Sequence, residues 1–521
     1  MSADRVVILP DDVHNRELVG HVHPPDWRNP EPRDRYHLVV VGAGTGGLVS
    51  AAIAAGLGAK VAMVERHLMG GDCLNFGCVP SKAVISSARR VHAARPAGTN
   101  GRPGGAGGTG AAGGAGAVSG GGAGSDFPAA MERMRRLRAG ISPIDGASRF
   151  AGLGVDVFLG HGEFVAPDRL RVNGDELNFR RAIIATGARA ALIPVPGLGD
   201  VDVYTNETIF SLTELPPRLV VIGAGPIGVE LAQTFARFGS RVTVVHADAH
   251  PLPRDDRDAA AIVTRAIEAD GVRVLNSAAI RKARREDGVT VLEVEHDGER
   301  EELASEAVLV AAGRAPNVDG MGLEAAGVAH DRTGIRVDDQ LRTTAKGIYA
   351  VGDVASKHQF THAADHQARI AVQNALFFGR GRASRLVIPW ATYTDPEVAH
   401  VGLHRDEAIA AGHDVETITI HFDDIDRAIL EGEKEGFLRV HLKEGSDRIL
   451  GATLVCAHAG DMIGEITLAM TAGLGLGKLG ATIHPYPTRS DIFARAANAW
   501  RKQKLTPTVE KAFRAFFRVF K

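Results

Sequence analysis

Apolar residues recur along this chain in short runs that end on glycine and are followed by helical spacing. Leu38–Val41 is such a run. It predicts a buried strand running into a turn at Gly42, then an Ala-rich helix and a second strand ending at Glu65. A helical pattern resumes at Phe127 and passes through the basic stretch Met131–Arg136. Short strands are predicted at Val155–Leu159 and Ala182–Ala185. A second strand, glycine turn and helix begins at Leu219, with a strand at Arg241–Val245. Strand and helix signals then alternate to Val310, as in a doubly wound sheet. After Pro389 the pattern changes to strands with alternating polarity, then helical segments to about Trp500.

Three segments fall outside this pattern. Residues 1–36 are polar and rich in His and Pro, with His21 and His23 as a pair, and have no apolar core of a secretory signal. About half of residues 98–124 are Gly, which predicts a flexible loop because so little apolar surface cannot offset the entropy of ordering. Beyond Trp500, Thr506 and Pro507 predict a helix start. Val509, Phe513, Phe516, Phe517 and Phe520 then form an apolar stripe opposite Lys511, Arg514, Arg518 and Lys521. Burial of that stripe on the protein's own surface is the favoured reading; peripheral contact of 507–521 with an anionic membrane is the other.

A chain of 521 residues implies two to four domains. The formal net charge of -2 gives no reason to propose nucleic acid as a partner. No apolar run is long enough to span a bilayer. Three cysteines in so long a chain cannot be a disulfide scaffold. The expected compartment is the reducing cytoplasm, where a close cysteine pair is more often catalytic than structural.

Two glycine fingerprints carry the first chemistry. Gly42, Gly44 and Gly47 permit a tight turn that brings backbone N–H groups to a pyrophosphate, and Glu65 stands where a carboxylate meets a ribose. Gly223, Gly225 and Gly228 repeat the turn after Leu219–Ile222, so two dinucleotides are expected. In the second copy His246 occupies the acid's place. A His tolerates a 2′-phosphate better than Glu does, which favours NADP; if His246 touches nothing, NAD serves as well.

Cys73 and Cys78 follow in Gly70-Gly71-Asp72-Cys73-Leu74-Asn75-Phe76-Gly77-Cys78-Val79-Pro80-Ser81-Lys82. Cysteines five apart can face each other across a distorted first helical turn, and a helix N-terminus with a nearby cation favours thiolate. A zinc half-site is the alternative, but the remaining cysteine, Cys456, lies far along the chain and reads as core. No metal site is predicted.

With these motifs in order, the sequence resembles the pyridine nucleotide–disulfide oxidoreductases, which include dihydrolipoamide dehydrogenase, glutathione reductase and mercuric reductase. The resemblance covers roughly residues 37–500. Thr186-Gly187 resembles the exit from the flavin domain, Gly313-Arg314 the return, and Gly352-Asp353 the second FAD motif, whose Asp binds the ribityl chain. It implies an α/β fold with two Rossmann-like domains, for FAD and NAD(P), plus a C-terminal α+β dimerisation domain. The expected boundaries are an extension at 1–36, FAD domain 37–190 and 315–388, NAD(P) domain 191–314, dimerisation domain 389–500 and a basic amphipathic tail, 501–521. It further implies that Cys78 is the charge-transfer thiolate against the flavin, Cys73 the interchange thiol, and Lys82 a partner of Glu230 near flavin N5.

One segment departs from the family. Disulfide reductases carry a His-Pro-Thr with a following Glu, whose His is the acid–base partner from the other subunit. Here Pro487-Thr488 aligns Tyr486 with that His and Asp491 with that Glu, while His484 falls two residues earlier. An ordinary tyrosine, with a pKa of about 10, is a poor proton shuttle at neutral pH. Tyr486 resembles mercuric reductase, yet that enzyme's C-terminal cysteine pair is absent. The expected function is an NAD(P)H-dependent FAD/disulfide oxidoreductase, a homodimer, delivering electrons to a thiol-reactive metal ion, disulfide or quinone-like small molecule. Dihydrolipoamide dehydrogenase is the alternative enzyme. A low-turnover flavin redox sensor or membrane-associated protein is the alternative of another class.

Overall fold

A computed structural model of the protein describes residues 6–94, 126–191 and 193–520; the glycine-rich segment 98–124 lies outside them. The chain divides into two compact units, Met1–Ala247 with Asp270–Leu386, and Asp248–Ala269 with Val387–Lys521.

The first unit holds two parallel sheets. In one, the strands run Ile348–Ala350, Ala182–Ile184, Leu38–Val41, Val61–Glu65, Val155–Leu159 across the sheet. All of Leu38–Val41 is buried, as a central parallel strand covered on both faces requires. Helix Thr45–Gly56 packs Leu48, Ala51 and Ala54 into the same core as Ala371, Val372 and Ala375 of helix Thr361–Leu376. The second sheet orders Arg273–Leu275, Arg241–Val245, Arg218–Ile222, Ala307–Val310.

Between its strands the predicted strand–helix alternation fails. Ala279–Glu286, Val289–His296 and Glu299–Ser305 form an antiparallel meander instead. Its turns are Asp287-Gly288 and Asp297-Gly298, all four residues at positive φ. Two-residue turns of that handedness match strand twist and select a hairpin over a crossover helix.

Residues 1–36 are more than an extension. Val13–Val22 is helical, Asp12 caps it by accepting the Asn15 N–H at 2.8 Å, and Leu18 and Val22 are fully buried in the first sheet's core.

The second unit centres on an antiparallel sheet ordered Pro389–Thr392, Glu397–Gly402, Ile449–Cys456, Phe437–Lys443, Val415–His421. Its core takes Ile463 and Ile466 from helix Ala459–Thr471 and Phe493 and Ala497 from helix Asp491–Gln503. Helix Arg257–Ala269 belongs to this unit. Thr506 caps the predicted helix, observed at Pro507–Val519. Its phenylalanines do not pack on the protein's own surface: no side chain of that helix is buried.

Candidate active site

The first fingerprint folds as its glycines demand. Gly42 has φ +98°, and a Cβ at Gly47 would stand 1.8 Å from the Gly42 carbonyl oxygen. Only glycine permits the strand to turn this closely onto the helix. Glu65 closes the turn: Oε2 accepts the Ala43 N–H at 2.7 Å and Oε1 the His67 N–H at 2.8 Å. Burial pushes the Glu65 carboxyl up, against those two bonds. A cleft opens beside the turn, lined by Gly42, Glu65, Arg66, His161, Thr186 and Asn317, among others.

The second turn repeats the construction with a different residue. A Cβ at Gly228 would lie 2.0 Å from the Gly223 carbonyl oxygen, while one at Gly225 would meet open space. His246 is buried, and its Nδ1 accepts the Ala224 N–H at 3.2 Å. His246 thus takes the same backbone bond that Glu65 takes in the first turn. Accepting at Nδ1 leaves the proton on Nε2.

Cys73 lies in the short helix Gly71–Asn75, and Cys78 begins helix Cys78–Ala93. The two thiols are free and hydrogen-bonded to each other. The bond from Cys73 holds the Cys78 thiol down at about 6, against burial and helped by Thr361 and Lys82. That same bond, together with burial, raises Cys73. Cys78 is thus the thiolate of the pair, at a helix N-terminus where negative charge is stabilised. Lys82 Nζ donates to Glu230 Oε2 at 2.8 Å, with Glu230 buried in helix Pro226–Phe238.

The exit and return segments clasp each other. Arg314–Pro316 pairs antiparallel with Ala188–Ala190. Thr186 Oγ1 donates to the Asn317 carbonyl at 2.8 Å, and Asn317 N donates to the Gly187 carbonyl at 3.0 Å. Arg314, following Gly313 at φ +124°, bridges Asp353 at 3.4 Å and Asp72 at 3.2 Å. Burial raises the Asp353 carboxyl, opposed by Arg314; Gly352 turns at φ +74° beside it.

In the second unit, the residues near 486 do not assemble into one dyad. Tyr486 is 75 % exposed and its hydroxyl donates to Asp426 Oδ2 at 2.8 Å. That bond and the Asp426 charge raise the phenol. Asp491 pairs with Arg495 at 2.8 Å. His484 pairs through Nε2 with Glu465 at 2.8 Å, and its Nδ1 is buried without a hydrogen-bond partner. Cys456 is buried, and burial raises its thiol.

Comparison with known proteins settles the family. Residues 36–368 match the family described as pyridine nucleotide-disulphide oxidoreductase, and residues 388–497 match its dimerisation domain. The chain belongs to the pyridine nucleotide-disulphide oxidoreductases. It is 36 % identical to a dihydrolipoyl dehydrogenase of Thermus scotoductus over 90 % of this chain and 98 % of that one. It is 31 % identical to a mercuric reductase of Bacillus cereus over 89 % of this chain and 71 % of that one. Among solved structures it resembles the Cu(II) complex of the HOCl-induced flavoprotein disulfide reductase RclA from Escherichia coli. The TM-score is 0.77 at 28 % identity, covering 90 % of this chain and all of that one.

Enzymes of this family contain FAD and use NAD(P)H, and the residues present fit both groups. The turn at Gly42, Gly44 and Gly47 leaves backbone N–H groups and the adjoining cleft for the FAD pyrophosphate and adenosine, with Glu65 beside them. Asp353 is a half-buried carboxyl in the 3-10 turn Gly352–Val354, which follows the first sheet's strand Ile348–Ala350. The open space over Gly225 would accommodate a second pyrophosphate. Among the described residues no helix is long and apolar enough to cross a membrane.

Sequence reasoning missed three residues of this site. Thr361 Oγ1 lies 3.5 Å from Cys78 Sγ but 283 positions away, with no local signal. Asp72 was legible beside Cys73; its bonds to Asn206 at 2.8 Å and to Arg314 were not. Arg138 lies two residues past the basic stretch Met131–Arg136 and is fully buried, with burial pulling its guanidinium down to about 10.

Proposed function

We propose that this enzyme is a homodimeric NAD(P)H-dependent FAD/disulfide oxidoreductase whose acceptor is a thiophilic, reducible metal ion. The observation that carries the reading is the polarised pair: Cys78 favoured as thiolate beside Lys82 and Thr361, Cys73 protonated. When bound, FAD supplies the route for an electron pair from NAD(P)H to the Cys73–Cys78 disulfide. NAD(P)H thereby becomes NAD(P)⁺, its hydride equivalent leaving the disulfide as the Cys78 thiolate and the Cys73 thiol. Lys82 offsets the thiolate charge at Cys78, and buried Glu230 holds Lys82 in place. The thiolate–thiol pair then binds the metal ion, gives it two electrons, releases the Cys73 proton and closes to the disulfide. Reducing Hg(II) to Hg(0), or two Cu(II) to two Cu(I), balances the step.

Such an acceptor needs no proton from the enzyme, which suits a site whose aligned residue is Tyr486. His484 is held by Glu465 and is a poor substitute for a mobile base. Mercuric reductases among the relatives, and a Cu(II) complex among similar structures, support this acceptor class.

A second reading is dihydrolipoamide dehydrogenase, favoured by the Thermus relative's 36 % identity across nearly its full length. NAD(P)H consumption by the FAD-loaded protein with Hg(II), Cu(II), lipoamide, glutathione disulfide and a quinone decides between them. Turnover confined to lipoamide would replace the first reading by the second.

A further inference from the structure

The helix Pro507–Val519 carries a cluster of exposed aromatic side chains. Phe513, Phe516, Phe517 and Phe520 are between 52 % and 71 % exposed. Their rings cluster, Phe516 on Phe520 at 4.4 Å between centroids and on Phe517 at 5.6 Å. Exposed aromatic surface of this extent, on one face of a helix, marks a binding surface. Extended Thr506, capping the helix by accepting the Val509 N–H, separates it from helix Asp491–Gln503.

The charge pattern says what the face fits. The whole chain is balanced, 60 Lys and Arg against 62 Asp and Glu. Residues 501–521 hold seven basic side chains against one acid, Glu510. At about 100° per residue, Lys511, Arg514 and Arg518 fall together on the arc opposite the phenylalanines. In a protein groove those cations would face solvent, and their segregation would have no role. On a bilayer the aromatic face enters the acyl boundary and the cations lie at headgroup depth, where each meets anionic phosphate. We infer that the helix Pro507–Val519 docks this enzyme peripherally on anionic lipid surfaces.

Co-sedimentation of the full FAD-loaded chain with vesicles tests this. Vesicles of equal parts phosphatidylglycerol and phosphatidylcholine should capture the protein, and pure phosphatidylcholine should capture little. Raising salt from about 0.1 M to about 1 M should release it, because screening shortens to a few ångströms. A variant ending at Trp500 should stay in solution while keeping its NAD(P)H turnover with a soluble acceptor. Replacing Phe516→Ser with Phe517→Ser, or Arg514→Gln with Arg518→Gln, should each weaken capture roughly tenfold or more. Equal capture of full-length and truncated chains would overturn the inference, as would capture by neutral vesicles equal to that by anionic ones. So would absence of capture together with a lower solution mass for the truncated chain, which would assign the stripe to a second copy.

Discussion

Arg138 donates from Nη1 to the Asn75 carbonyl at 2.6 Å, two residues past Cys73 in the redox loop. Its Nη2 donates to Asn15 Oδ1 at 2.6 Å, in the helix that begins the described chain. Asn75 itself donates to the Met69 and Gly71 carbonyls and so shapes the loop. A buried guanidinium thereby ties the N-terminal helix to the backbone that carries the reactive cysteines. Burying a cation is costly unless its donors are paired, and with Nε of Arg138 buried without a partner the two Nη bonds carry the compensation.

Removing the Asn15 acceptor should therefore be costly. Asn15→Ala is expected to lose about 1.5–3 kcal/mol, the range for hydrogen bonds to charged groups. Asn15→Asp, which keeps an acceptor, should lose less. Thermal unfolding of both variants checks this; equal midpoints for Asn15→Ala and the parent would detach the helix from the loop.

The two cysteines should behave unequally in the reduced enzyme. Long-wavelength absorbance from a thiolate against flavin is expected to vanish in Cys78→Ser and persist in Cys73→Ser. In the parent it should fade as pH drops through about 6, the value set for Cys78 chiefly by the Cys73 bond. The depressed thiol also makes reduced-state stability present above its ordinary value, 9.0, and lost as pH falls through about 6. Thr361→Val should move the optical transition upward; identical titrations would remove Thr361 from the thiolate's environment.

Lipoamide and glutathione disulfide should be slow substrates. A missing general acid–base typically costs about 10²–10⁴-fold. Rates on the order of 10–10³ per second, usual for enzymes, are not expected with either. Tyr486→His should raise disulfide turnover, whereas His484→Ala should leave metal-ion turnover near the parent's. A collapse of disulfide turnover in His484→Ala would make His484 the acting base.

The second unit should be acid-sensitive. Burial lowers His400 to about 3 and His441 to about 4, from 6.5. Unfolding lets both take protons, so stability falls as pH drops from 6.5 towards those values. Burial pulls His404 down too, yet its bond to Asp256 at 3.1 Å lifts it above its ordinary value; its contribution is present at low pH and fades on the alkaline side. Denaturant melts between about pH 4 and pH 8 measure the slope. His400→Gln with His441→Gln should flatten it, and an unchanged slope would place the acid sensitivity elsewhere.

Glycine turns, the acid ending a strand, and a close cysteine pair are local, so the first fingerprint and the redox loop were readable residue by residue. Glu65 meeting Ala43, and Cys78 opening a helix, follow from short-range geometry that the sequence pattern encodes. The Asp-Gly turns at 287 and 297 were also local signals, but the alternation expected of a doubly wound sheet overrode them. Thr361 on Cys78 and Glu230 on Lys82 join elements distant in the chain. Of these, only Lys82–Glu230 was foreseen, and that from family resemblance. Arg138 is the clearest limit: among five arginines between 133 and 149, polarity alone gives no sign of which one is buried. Only the packing of three segments around Arg138 decides that, because a cation's burial depends on acceptors that no neighbouring residue supplies.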